Sequence, residues 1–145
     1  MYSSPKNIKY TIDNQEVTLV NGVSEVSIPN SSSKVTTKYF GNEVTKDLDG
    51  DGREDKAFLV TQETGGSGVF YYVVAALNKE DGYVGGKALF LGDRIAPQNT
   101  VSGDGRTIVV NYADRKVGED FSVSPSVGKS IILLFSADYM DFGEV

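Results

Sequence analysis

The segment Asp47-Leu48-Asp49-Gly50-Asp51-Gly52-Arg53-Glu54-Asp55 places carboxylates at alternate positions around two glycines. A hard cation such as calcium takes about six to eight oxygen ligands, which a short acidic loop with a glycine-permitted reversal can supply. Asp47, Asp49 and Asp51 stand at relative positions one, three and five, and Gly52 allows the sharp turn at six. Arg53 can offer its backbone carbonyl at seven, and Asp55 stands at nine. The spacing predicts a Ca2+ site built from Asp47, Asp49, Asp51, Arg53 and Asp55. Magnesium suits it less, because that ion prefers few carboxylates and several retained waters. A bare Asp/Gly-rich turn would show no response to calcium, whereas a site present only in the folded chain raises the melting temperature.

Position twelve, where an EF-hand needs a bidentate glutamate, is Phe58, which cannot ligate. The residues that follow, Ala57-Phe58-Leu59-Val60, are strand-like, so the helix-loop-helix frame is missing. The segment from Asp47 to Val60 resembles the calcium loop of FG-GAP (integrin-type) and VCBS repeats, of the form Asp-x-Asp/Asn-x-Asp-Gly-x-x-Asp in a β-hairpin. Propellers of that type need several copies, and one is present here. From Lys38 to Asn111 the chain also resembles an uncharacterised group of bacterial cell-envelope β-domain proteins. These join such a loop to a Gly-Gly-Ser-Gly-x-Phe-x-Tyr segment, here Gly65 to Tyr72, and to a Phe-Leu-Gly-Asp-Arg segment, here Phe90 to Arg94. That resemblance implies export and brings no activity with it.

Other chemistry has little material. The chain has no His and no Cys, which removes Ser-His-Asp and Cys-His catalysis, His- or Cys-ligated zinc and any disulfide. A carboxylate-based hydrolase remains conceivable, with Glu63, Asp93, Glu119 and Asp120 as candidate acids. The aromatic cluster Phe70, Tyr71, Tyr72, Tyr83 and Phe90 could hold a sugar, although core packing explains it more simply. The formal charge is −6, and one divalent ion in the loop would bring it to about −4. The lysines are scattered singly, which argues against nucleic acid as a partner.

The loop needs rigid elements to position it, and short apolar runs suggest strands. At 145 residues, with 39% hydrophobic residues and 16 glycines, the chain fits one folded domain spanning 1–145. Val17 to Val20 and Val23 to Ile28 flank Asn21-Gly22 as a hairpin pattern. Val35 to Val44 and Ala57 to Val60 would enter and leave the acidic loop. Val69 to Leu77, apolar or aromatic throughout, reads as a central strand covered on both faces. Further strands are expected at Tyr83 to Leu91, Arg94 to Val101, Thr107 to Tyr112 and Ile131 to Phe135. The expectation is an all-β, antiparallel meander or sandwich of about eight to nine strands with the calcium loop in a hairpin. Pro29 to Ser33 and Ala113 to Lys129 read as loosely held, and residues 136–145 as an acidic, peripheral tail.

No apolar stretch approaches the roughly 20 residues of a membrane span. The start, Met1-Tyr2-Ser3-Ser4-Pro5, lacks the basic and apolar regions of an export signal. The protein is therefore either cytoplasmic or one whose signal has been removed. The leading expectation is a calcium-binding, non-catalytic extracytoplasmic β domain, secreted, periplasmic or surface-anchored, with a structural or adhesion role. Its partner would be an envelope or extracellular ligand. The alternative is a calcium-dependent glycan- or peptide-binding module using the 113–129 stretch and nearby aromatics, and a hydrolase comes third.

Overall fold

A strand that is apolar at every position must bury both faces, and the segment from Val69 to Leu77 is continuous in this way. In a computed structural model, which describes residues 4–145, the sheet holding that segment is covered on both sides. The main sheet runs in the order β3 (Val23–Ser27), β4 (Lys34–Lys46), β5 (Asp55–Glu63), β6 (Phe70–Lys79), β7 (Gly82–Gly85). A further strand, β8 (Leu89–Asp93), pairs with the first half of β6. A four-stranded sheet, in the order β12-β11-β10-β9, contains β9 (Ala96–Ser102), β10 (Thr107–Asp114), β11 (Val127–Ser136) and β12 (Asp141–Glu144). A two-stranded hairpin, β1 (Lys9–Ile12) and β2 (Gln15–Thr18), forms the third sheet. All pairings between strands are antiparallel, and the one helical element among the described residues is a 3-10 turn at Pro5–Asn7.

Alternation along β5 and β6 divides the interior in two. Ala57, Leu59, Val73, Ala75 and Leu77 face the four-stranded sheet and meet Ile108, Val110, Leu133, Phe135 and Phe142. Phe58, Val60, Tyr72, Val74 and Ala76 face the β1-β2 hairpin and meet Tyr10, Ile12, Val17 and Leu19. The register stacks like with like, pairing Leu59 with Val73 on one face and Phe58 with Val74 on the other. Each fully buried large side chain contributes about 1.5–3 kcal/mol. Packing on both faces therefore makes β5 and β6 the rigid centre, and the acidic loop opens directly from β5.

The all-β, antiparallel expectation holds, and the expected count of eight to nine strands is corrected to twelve. Among the described residues three additions account for the difference: strand β1, the division of Tyr83 to Leu91 into two strands, and β12. The β1-β2 hairpin turns on Asp13 and Asn14, both at positive φ, a type I′ pattern. Asn21-Gly22 does form a two-residue turn with Val20 and Val23 bonded to each other, but pairing stops there: β2 joins β1, and β3 joins β4. The turn hands the chain from the hairpin layer to the main sheet. The stretch Tyr83 to Leu91 is split between β7 and β8. A side chain at Gly85 would collide with the Lys9 carbonyl oxygen, and the Gly86 amide turns to the Ala75 carbonyl.

The tail expectation is also overturned. Strand β12 pairs with β11, and Phe142, 3% exposed, packs edge-on against Phe135 with ring centroids 5.3 Å apart. Residues 136–145 are acidic in composition, yet Phe142 sits in the main core and Met140 packs against it. Met1 to Ser3, read above for an export signal, lie outside the described residues. No helix among the described residues is long and apolar enough to cross a membrane.

Candidate metal centre

The loop is closed at its mouth by the ladder, where Lys46 at the end of β4 pairs with Asp55 at the start of β5. Leu48, 1% exposed, plugs into the main core and pulls the second loop residue inward. Lys46 Nζ donates to the carbonyls of Gly103 (3.0 Å) and Thr107 (2.9 Å), tying the loop's root to the β9-β10 turn. Gly50 and Gly52, at φ +81° and +87°, supply the left-handed conformations that reverse the chain. A short, acid-rich segment is thus folded back on itself by two glycines and fastened at both ends.

Backbone amides hold the carboxylates. Asp47 Oδ1 accepts from the Gly50 amide (2.8 Å), and its Oδ2 accepts from the Gly52 amide (2.9 Å). Asp49 Oδ1 accepts from the Asp51 amide (3.3 Å), and Asp51 Oδ1 from the Arg53 amide (2.9 Å). Asp55 is fully buried: its Oδ2 accepts from the Leu48 amide and its Oδ1 from the Asn78 amide, both at 2.8 Å. One oxygen from each of Asp47, Asp49, Asp51 and Asp55 lies within 4.8 Å of the others. A carboxylate oxygen carries two lone pairs, so these amide bonds leave acceptor capacity for a shared cation. Together the four aspartates can hold a metal ion. Arg53 is exposed, and its place in the site would be that of a carbonyl donor.

The electrostatics vary around the ring. Amide bonds, from Gly52 first for Asp47 and from Arg53 first for Asp51, hold both carboxyls below the usual carboxylate range. Burial pushes Asp55 the other way, above that range, against the pull of the Leu48 and Asn78 amides. A cation stands at the rim: Lys79 Nζ donates to Asp49 Oδ2 (2.5 Å) and to Asp51 Oδ2 (3.4 Å). The Asp49 side chain is only 3% exposed and that of Lys79 is 42% exposed. The Asp49 hydrogen bond, followed by charge attraction, raises the ammonium's pKa above its ordinary value. Local spacing could not reveal Lys79, since the register of β5 against β6 is what carries it to the loop.

Of the other candidate acids, Asp93, Glu119 and Asp120 serve local geometry. Asp93 Oδ1 accepts from the Val69 amide (3.0 Å) and Arg94 Nε (3.1 Å), and its Oδ2 from Arg94 Nη2 (2.8 Å). Burial opposes ionisation of Asp93, but the Arg94 pairing outweighs it and holds the carboxyl below the usual range. Arg94 Nη1 also reaches Ser67 Oγ (3.3 Å), so the Gly65–Gly68 and Phe90–Arg94 segments meet in one junction. The Arg94 guanidinium lies 3.7 Å from the Phe121 ring centroid, while Arg115 donates to the carbonyls of Arg94, Phe121 and Val123. The stretch expected to be loose from Ala113 to Lys129 is therefore shortened by β10 and β11 and pinned at 115–126. Glu119 and Asp120 accept from the Lys116 and Ser122 amides.

The aromatic cluster divides between the two faces. Phe70, Tyr72 and Phe90 line an open cavity of about 400 Å³ together with Asp13, Gln62 and Thr64. Tyr72 is largely buried there, and its hydroxyl donates to Asp13 Oδ2 (2.6 Å). Tyr71 packs towards the main core, with Phe40 edge-on at 5.3 Å, while Tyr83 joins the hairpin side. Against known proteins, no family model matches the chain, and no curated protein or solved structure is detectably similar to it.

Proposed function

We propose that this chain is a calcium-binding, non-catalytic β domain that works outside the cytoplasm in a structural or adhesion role. The observation that carries the reading is the ring of four carboxylates on one hairpin loop, with one oxygen from each within 4.8 Å of the rest. Calcium binds oxygen at about 2.3–2.6 Å, so ligands on opposite sides of the ion stand about 4.6–5.2 Å apart. For magnesium the same span is only about 4.0–4.2 Å. A span within 4.8 Å admits either ion, and it is the four carboxylates that favour calcium, since magnesium prefers few carboxylates and several retained waters; the Arg53 carbonyl would be a further donor.

Calcium at this loop would neutralise carboxylates that otherwise repel one another. Leu48 and Asp55 are part of the buried interior, so a folded loop and a folded core form together, and an ion bound only by the folded loop stabilises both. An open, hairpin-borne site is suited to the millimolar calcium found outside cells. This accords with the resemblance to envelope proteins and suggests an envelope or extracellular partner. A second reading, a calcium-dependent glycan- or peptide-binding module, is favoured by the cavity bordered by Phe70, Tyr72 and Phe90.

Thermal melting of the EDTA-treated chain with and without calcium tests the first reading. Calcium at about 100-fold over its dissociation constant adds about 2.7 kcal/mol, a rise on the order of 5–15 °C for a domain of this size. An unchanged melting temperature at millimolar calcium contradicts the reading. Glycan and peptide arrays probed with and without calcium decide between the two roles, since a calcium-dependent hit replaces the structural one.

A further inference from the structure

Lys79 stands against two of the four aspartates that would hold calcium, Asp49 and Asp51. The ammonium lies 2.5 Å from Asp49 Oδ2 and 3.4 Å from Asp51 Oδ2, on the oxygens of those two residues that accept no amide bond. Asp49's side chain is almost entirely out of water, so its charge depends on a close partner rather than on solvent. Lys79 comes from the end of β6, next to the Asp81-Gly82 turn into β7, and not from the loop itself. Its stem is long enough to withdraw to solvent, where its side chain is already 42% exposed.

We propose that Lys79 is a built-in counter-cation that calcium displaces, so that the loop binds calcium by exchange of one charge for another. The inference rests on the calcium reading above and adds a regulator of that site. Metal-free, the ammonium offsets part of the repulsion among four aspartates and keeps the loop folded. Calcium then gains only the difference between its own ligation and the ion pairs it breaks, which weakens its apparent affinity. A site arranged in this way stays ordered without its metal and fills only where calcium is abundant.

The test is calorimetric titration of the full chain with CaCl2 at low ionic strength, in the natural sequence and in the Lys79→Met and Lys79→Gln variants. Both substitutions remove the charge, and the glutamine keeps a polar contact should methionine disturb folding. The exchange predicts that both variants bind calcium about tenfold more tightly than the natural chain, because no resident ion pair must be broken. It also predicts that their metal-free forms melt lower, while the calcium-saturated forms differ little. Variants that bind calcium with unchanged or weaker affinity overturn the exchange but leave the calcium site standing. Absence of calcium binding in all three folded chains overturns both. Tightening in Lys79→Met alone, with Lys79→Gln unchanged, also counts against displacement of charge.

Discussion

Two corners of this protein carry buried or half-buried acid, and they treat it differently. At the corner between β8 and β9, Asp93 is satisfied within its own neighbourhood by the guanidinium of Arg94 and one backbone amide. That guanidinium is itself capped by Phe121. Between β4 and β5, four aspartates converge on one point with the Lys79 ammonium at the rim. The first corner is electrically closed and acts as a joint. The second has more negative charge than its own side chains neutralise, and this excess is what makes it a candidate for an outside cation.

Breaking the second corner should have the largest effect. Asp49→Ala with Asp51→Ala should abolish any calcium-induced rise in melting temperature, whereas Asp93→Ala should leave that rise intact while lowering stability. A calcium response that survives the double change would remove the loop from consideration. Asp55→Ala should destabilise the chain by about 2–4 kcal/mol even without metal, because it leaves the buried Leu48 amide and the Asn78 amide without acceptors. Denaturant unfolding in EDTA reads this directly, and a loss under about 0.5 kcal/mol would mean that the amides find other partners. Arg94→Ala, which removes the stacking on Phe121 and the Asp93 pairing, should cost about 1–2 kcal/mol with calcium affinity unchanged.

The smallest effect is a separation of pKa values within one loop. Asp55, raised by burial, should take up a proton first on acidification, above the ordinary carboxylate range, and Asp47 and Asp51 should follow below it. The stability signs are opposite. Asp47 and Asp51 contribute stability that is fully present above their unfolded pKa and is lost as pH falls through their lower folded values. Asp55 disfavours folding while ionised, and that cost is relieved as pH falls through its raised folded value. Carboxyl carbon NMR titration of the metal-free chain resolves the three, and coincident titration would contradict the contrast. Saturating calcium should drive all of them lower.

How much of this was readable in sequence depends on how far apart the cooperating residues lie. The acidic loop could be read because its four aspartates sit at fixed local offsets, and β5 and β6 because apolar runs bounded by polar turns mark buried strands. The pairing of residues 9–18 could not be read in this way: Val17 suggests a strand, but one turning at Asn21-Gly22, while Tyr10 and Ile12 are too few to advertise β1, which burial against Phe58 and Val74 secures. The fastening of 136–145 combines the β11-β12 ladder with Phe142 and Met140 against the core, within an acidic stretch whose composition points to solvent. The segment 115–126 is held by Arg115 reaching backbone carbonyls, a contact that leaves no periodic trace. Lys79 belongs to the same class, since a lone lysine in the sequence becomes part of the site only once β6 lies beside β5.

The central claim is that the loop from Asp47 to Asp55 takes calcium, and calorimetric titration of the EDTA-stripped chain with calcium and then magnesium tests it most directly. The account predicts saturable binding of one calcium ion per chain, at least about tenfold tighter than magnesium, and lost in the Asp49→Ala, Asp51→Ala chain. No calcium heat at millimolar concentration, together with an unchanged melting temperature, would contradict it.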